Sequence, residues 1–346
     1  MRLLGVAALL LAFVLGLCAA RAEGGAHAEL RLLADEVRAL AAPDPRPWLD
    51  PRSRDSLLAR ILIPRVPGTE NSTRVRSAII DALSHPRGHG GQPLWHVDTP
   101  SFTAHTPLGA RSMTNVVATL DPQAAHRLVL AVHYDSKYFP PGSGQEAFVG
   151  ATDSAAACAL LVDVAVSMGD YLGAYAARQH AEREADAGTR TDDTTLQLVF
   201  LDGEEAFADW NGTDSLYGAR HLAKAWANSW LAPRHTTGGR AARREIQMVR
   251  HFALLDLLGA ARTPVPFYYD DTRWLHALLR RTEKRLHDLR LLWPAGGDEG
   301  PLLVDARGIG GIEDDHLPFV AEGVPALHVI PWPFPRVWHS IKVGWS

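Results

Sequence analysis

The chain has 346 residues, 47% hydrophobic and 21% charged, with a net charge of −4 and a pI near 6.5. This is ordinary globular composition, enough for one large α/β domain or two small ones. It offers no basic face for nucleic acid. Its arginines and acids are interspersed, as on a solvated surface.

At the N-terminus, Arg2 precedes an apolar run over residues 3–20, followed by Ala20-Arg21-Ala22. A positive start, an apolar stretch and an A-x-A site predict a secretory signal peptide over residues 1–22. Residues 23–346 are then expected to form a single domain. The run is nearly long enough to span a bilayer, so an uncleaved Golgi-type anchor is the alternative to secretion. Two sequons, Asn71-Ser72-Thr73 and Asn211-Gly212-Thr213, fit a secretory route. Of the two cysteines, Cys18 lies in the expected signal segment, which leaves Cys158 without an intramolecular partner. Cys158 sits in an apolar run and reads as a small buried hydrophobe.

Residues 27–42 read as an amphipathic helix, followed by a stretch marked by Pro43, Pro45, Pro47 and Pro51. Residues 74–83 read as a second helix, and 96–102 and 114–120 as short strands. Residues 127–135 have a continuous apolar centre, as expected of a strand buried on both faces. A Pro/Gly-rich loop at 139–144 leads to an alanine-rich helix at 154–168. Residues 177–194 are polar and read as a frayed helix end with an exposed loop. Residues 196–201 form a second buried strand, 216–230 a helix, and 252–258 a third strand. An amphipathic helix at 274–289 and a fourth strand at 326–330 complete the pattern, before a proline-rich loop to His339. Buried strands alternating with helices predict a three-layer α/β sandwich whose mixed, mainly parallel central sheet is flanked by helices.

In such sheets, sites form beyond the carboxyl ends of the strands. Polar residues do cluster there. The first buried strand ends in His133-Tyr134-Asp135 and the second in Asp202-Gly203-Glu204-Glu205. The third carries Asp256, the fourth contains His328, Asp153 heads the long helix, and His339 lies in the last loop. Histidine and carboxylate without cysteine suit zinc, which takes nitrogen and oxygen donors and keeps a position open for catalysis. Asp153, Glu205 and His339 are the expected ligands. Taken singly, Asp153 also suits a helix N-cap, Glu204-Glu205 a solvated turn, and His339 a surface residue. Asp256 is harder to explain away, because a carboxylate inside the apolar run Leu254–Ala260 needs a partner. In Asp314-Asp315-His316 two adjacent acids repel, so something nearby should compensate. The Glu204-Glu205 pair allows one carboxylate to hold a metal while its neighbour moves a proton. These residues define an α/β metallohydrolase and go no further.

The runs AVHYDSK at 131–137, FVGATDSA at 148–155, FLDGEEAF at 200–207 and DSLYGARHLA at 214–223 resemble glutaminyl-peptide cyclotransferases. So do LLDLLGA at 254–260, EDDHLPF at 313–319 and GVPALHVIPWPFPRVWH at 323–339. The resemblance covers roughly residues 27–339. It implies a di-zinc-aminopeptidase fold with one catalytic zinc, and peptides or proteins with N-terminal glutamine as substrates of a monomeric enzyme. It places Asp153, Glu205 and His339 as zinc ligands and Glu204 as general acid/base. Asp256 and Asp314 fall on acids that hydrogen-bond the reacting centre. Trp210, Phe334 and Trp338 fall on pocket aromatics, with His328 near the site. The family's cysteine pair is reduced here to Val132 and Cys158, so its disulfide is expected to be absent. The family chain continues past its last zinc histidine, whereas IKVGWS at 341–346 does not resemble it, so a C-terminally truncated product is expected. Two alternatives stand beside the cyclase: a two-zinc aminopeptidase of the same fold, and a folded but inactive truncated isoform.

Overall fold

A computed structural model describes residues 46–88, 91–185, 193–231, 242–260, 263–291 and 300–341. The expected signal segment, the expected helix at 27–42 and the end of the tail lie outside the described residues. The single-domain reading concerns many of the same residues and rests on the sequence.

Twelve strands are described: β1 (His96–Asp98), β2 (Ser101–Thr106), β3 (Gly109–Thr114), β4 (Val116–Thr119), β5 (His126–His133), β6 (Thr194–Leu201), β7 (Trp230–Leu231), β8 (Arg243–Arg244), β9 (Val249–Leu255), β10 (Val265–Phe267), β11 (Leu303–Arg307) and β12 (Ala326–Val329). The helices are α1 (Arg46–Leu49), α2 (Leu57–Ile61), α3 (Glu70–Leu83), α4 (Ala156–Ser167), α5 (Gly169–Ala185), α6 (Tyr217–Asn228), α7 (Arg273–Asp288) and α8 (Leu317–Ala321). Six strands form the main sheet in the order β1-β4-β6-β5-β9-β12. β6, β5, β9 and β12 run parallel, while β4 and β1 continue the sheet antiparallel. The expected mixed, mainly parallel sheet is therefore present.

Alternation along β5 separates the two faces. Leu128, Leu130 and Val132 join a core built with α3, α4 and α7, including Ile79, Leu161 and Leu279. Val129 and Ala131 face the opposite core, with Leu222 and Trp226 of α6 and Phe319 of α8. Both faces are covered, which explains why β5 and β6 read as continuous apolar runs. Register then aligns the strand ends: His133 lies beside Leu201, Ala131 beside Leu254, and Leu255 beside Val329. The residues that follow each strand are thus delivered to one edge of the sheet.

Three sequence readings change. The strand expected at 96–102 is split, because the chain leaves the main sheet at Thr99-Pro100 and Pro100 has no N–H for the ladder. β2 instead pairs with β3 as a separate hairpin. The helix expected from residue 74 begins at Glu70, where the Thr69 side chain accepts from Ser72 N. Residues 177–185, read as a frayed end and loop, continue α5. That helix buries only Gly169, Leu172 and Tyr175, so its apolar stripe is too narrow to show as periodicity. The alanine, arginine, glutamine and glutamate of its second half sustain it by propensity.

Cys158 is free and buried in α4, and its Sγ donates to the His133 carbonyl across 3.1 Å. One residue of α4 is out of place by polarity. Asp163 is buried and accepts from Ser167 Oγ at 2.8 Å, and burial pushes its carboxyl up to about 6. An acid with a raised folded pKa opposes folding when ionised, so its penalty is complete above pH 6 and fades as pH falls through 3.8. Asp163→Asn is expected to stabilise the protein by about 2 kcal/mol at pH 8 and by less than half of that near pH 4.5. Urea midpoints at the two pH values check this; an equal gain at both would refute it.

Candidate metal and catalytic site

β5 hands over directly to Tyr134 and Asp135. Asp135 is fully buried and accepts from the backbone N–H of Glu204 at 3.1 Å and of Glu205 at 3.2 Å. One carboxylate therefore fixes the turn that presents both glutamates after β6. The loop beyond them is shaped by Asp214, which accepts from the N–H groups of Phe207, Ala208 and Asp209 and from Tyr217 Oη. Asp153 comes from the kinked turn Ala151–Ala155 ahead of α4. His339 enters from the last loop with φ 50°, its ring stacked on Trp338 at 4.1 Å and edge-on to Phe148.

These elements bring Asp153, Glu205 and His339 together: one donor atom from each lies within 4.8 Å of the others. His339 Nε2 is 3.4 Å from Asp153 Oδ2 and 3.3 Å from Glu205 Oε1. Those separations are longer than charge-assisted hydrogen bonds, and Glu205 Oε1 is buried without a hydrogen-bond partner. Three donors facing one point, one of them unsatisfied, fit a divalent cation with an open position. Burial alone would lower the His339 imidazole, but Asp153 and Glu205 raise it to about 9. Burial opposes ionisation of Asp153, yet His133 and His339 hold it below the usual carboxylate range. Glu205 is raised by burial and by Asp153, with Lys137 Nζ at 3.4 Å from its Oε2.

Asp153 faces both ways. Its Oδ1 lies 3.1 Å from His133 Nε2, which is also 3.3 Å from Asp256 Oδ1. His133 Nδ1 is 3.3 Å from Asp135 Oδ1. Burial disfavours a charged His133, but its three carboxylate partners raise it well above its ordinary value.

Glu204 sits beside this set. Burial raises its carboxyl well above the usual range, reinforced by Glu205, Asp314 and Asp315. Burial likewise raises Asp256 to about 6. His328, on β12, places Nε2 2.7 Å from Asp314 Oδ2. Burial lowers His328 to about 3, so this contact is a hydrogen bond of a neutral ring, not an ion pair. His316 lies tilted against His328, ring centroids 4.2 Å apart, and meets Tyr269 Oη at 2.6 Å. The compensation expected for Asp314-Asp315 takes an unexpected form. Both Asp315 carboxyl oxygens are buried without hydrogen-bond partners, and burial and Asp314 raise its pKa well above the usual carboxylate range.

The expected aromatics lie nearer the surface, with Phe334 half-buried. Trp210 is 38% exposed and donates through Nε1 to Glu313 Oε2 at 2.6 Å. Trp338 is 42% exposed and meets Phe334 edge-on at 5.0 Å. The structure thus gathers the expected acids and histidines at one sheet edge, with the aromatics outside them. Asp135 as organiser of the glutamate turn was missed, because an acid after a strand looks like any turn residue. Arg65 was missed too, because its guanidinium acts on main-chain carbonyls.

The layered sheet and the buried donor set at its carboxyl edge define a metal-dependent α/β enzyme. A match to peptidase family M28 spans residues 115–342. The chain is 43% identical over 301 residues to a glutaminyl-peptide cyclotransferase-like protein of Bos taurus, covering 84% of this chain and 69% of that one. It is 41% identical over 282 residues to the glutaminyl-peptide cyclotransferase of Gloydius blomhoffii, covering 82% and 72%. The crystal structure of Macrostomum lignano glutaminyl cyclase superposes with a TM-score of 0.69 at 30% identity, covering 88% of this chain and 83% of that one. This chain belongs to the glutaminyl-peptide cyclotransferases, within peptidase family M28.

Proposed function

We propose that the chain converts the N-terminal glutamine of peptides to pyroglutamate with release of ammonia, using one zinc ion held by Asp153, Glu205 and His339. The observation that carries this reading is the convergence of those three donors next to a fourth, unligated carboxylate, Glu204. A bound zinc ion would supply Lewis-acid polarisation of the substrate's side-chain carbonyl. The substrate's α-amine attacks its own carboxamide carbon. The new C–N bond closes the ring, and the bond to the amide nitrogen breaks. Glu204 takes a proton from the attacking amine and returns it to the departing nitrogen. Raised affinity for protons suits this carrier, since a carboxylate of ordinary pKa would hold the proton too weakly at neutral pH. Asp256 and Asp314 accept hydrogen bonds from the amine and the leaving amide, with His328 fixing Asp314. Trp210, Phe334 and Trp338 wall the opening and exclude water, which would otherwise compete as a nucleophile. Amine and amide are already tethered, so the pocket has only to fix one near-attack geometry.

The test is mass spectrometry of a glutamine-initiated peptide incubated with the protein, with and without a chelator. The expected result is loss of the mass of one ammonia, abolished by the chelator and restored by zinc. Cyclisation that ignores the chelator would overturn the metal assignment.

A second reading draws on Asp153. His133, Asp153 and Asp256 also bring donor atoms within 4.8 Å of one another, so a two-metal aminopeptidase would share Asp153 between both ions. Against it stand the relatives that share most of this chain, which are glutaminyl-peptide cyclotransferases. Metal analysis separates the readings: one zinc per chain supports the cyclase, two the aminopeptidase.

We read the chain as a monomer acting in the secretory pathway, with residues 1–22 as a leader or a Golgi anchor. Of its two sequons, Asn211 is exposed and Asn71 half-buried, and each amide donates to a main-chain carbonyl, of Asp209 and Pro64 respectively. Asn211 is the better candidate for a glycan.

A further inference from the structure

Arg65 lies between α2 and α3 and is 0% exposed. Buried arginines ordinarily meet a carboxylate. The Arg65 guanidinium donates instead to four main-chain carbonyls: Tyr134 O at 2.6 Å, Val149 O, Gly150 O at 3.1 Å and Asp153 O at 3.4 Å. Its own backbone N–H donates to Ser136 Oγ at 2.9 Å. All of these partners lie on two segments: the residues just after β5, and the turn that carries Asp153.

That turn has little to hold it from within. Asp153 and Ser154 have non-helical backbone angles, and no side chain caps the turn. Ser154 Oγ is buried without a partner. Gly150 has φ 47°, and the Asp153 carbonyl folds back to within 2.0 Å of where a Cβ on Gly150 would stand. The Arg65 Nη2 atom lies 3.3 Å from that same point. The planar fork therefore fills the inside of the turn. Its charge is balanced at longer range by Asp135, Asp153 and Glu205, which offset the burial that lowers its pKa.

We propose that Arg65 is a positioning residue: it holds the turn 149–153 against the end of β5, aims the Asp153 carboxylate, and so sets the affinity of the site for its metal. This rests on the proposed ligand role of Asp153. Lysine would keep the charge but has no fork, and its single nitrogen could not reach both segments. Outer-sphere groups that orient ligands typically change metal affinity by about 10–100-fold, and Arg65→Lys is expected in that range.

The experiment measures zinc affinity of the full chain by competition with a chromophoric chelator, alongside the melting temperature of the metal-free protein. For Arg65→Lys we expect at least a tenfold loss of zinc affinity. A lowered melting temperature with wild-type zinc affinity would mean a purely structural role and would overturn the proposal. Should Arg65→Lys fail to fold, Ser136→Ala loosens Arg65 without touching a proposed ligand. A several-fold loss of zinc affinity there supports the proposal, and unchanged affinity sinks it. Asp153→Ala is the separate control: if it kept wild-type affinity, the metal site itself would be misassigned, whatever Arg65 does.

Discussion

Glu204→Gln should lower kcat by about 10²–10⁴-fold while the protein keeps its full complement of metal. The substitution preserves size and removes only the capacity to take and return a proton. Glu204 stands among three other acids, Glu205, Asp314 and Asp315, and each raises its pKa. A neutral amide relieves that repulsion, so the melting temperature should hold or rise even as turnover collapses. Ammonia release, metal content and thermal unfolding measured on one preparation check all three. Loss of metal with loss of activity would instead mean that Glu204 is a ligand and that its role has been exchanged with that of Glu205.

The same crowding shows what the sequence could and could not reveal. β5, β6, β9 and β12 were legible because strands buried on both faces must be apolar throughout. Their polar continuations stood out against that background. Asp256 was legible for a related reason, since an acid in an apolar setting demands an explanation, and Asp314 because it stands beside a second acid. Asp135 and Arg65 were not, because each acts on main-chain atoms. A carboxylate that accepts from two backbone N–H groups, or a guanidinium spent on four carbonyls, leaves no spacing to read. The environment of Asp315 was also invisible: sequence shows two adjacent acids, but only their burial raises the Asp315 carboxyl well above its ordinary pKa. The convergence of Asp153, Glu205 and His339 depends on register across β5, β6 and β9 and on the last loop. Separation along the chain carries no trace of it, and only the ordered family motifs suggested it.

In the proposed site His339 links that last loop to the metal, and its removal should have the second large effect. His339→Ala should weaken zinc binding by more than about a hundredfold, beyond the range expected of an outer-sphere partner. It takes away one of three donors and the stacking of Trp338 on the ring. Retention of wild-type affinity would remove His339 from the site. The wild-type protein carries a further signature. Without metal, Asp153 and Glu205 raise the His339 imidazole to about 9, so below that pH the ring is protonated and must release its proton before it can ligate. Zinc affinity should therefore fall by about tenfold per unit as pH drops from 9 toward 7, with proton release on binding detectable in weakly buffered solution. In His339→Ala that part of the pH dependence should vanish. If it survives unchanged, the proton comes from another group, and His133, the other raised histidine of the site, becomes the one to examine.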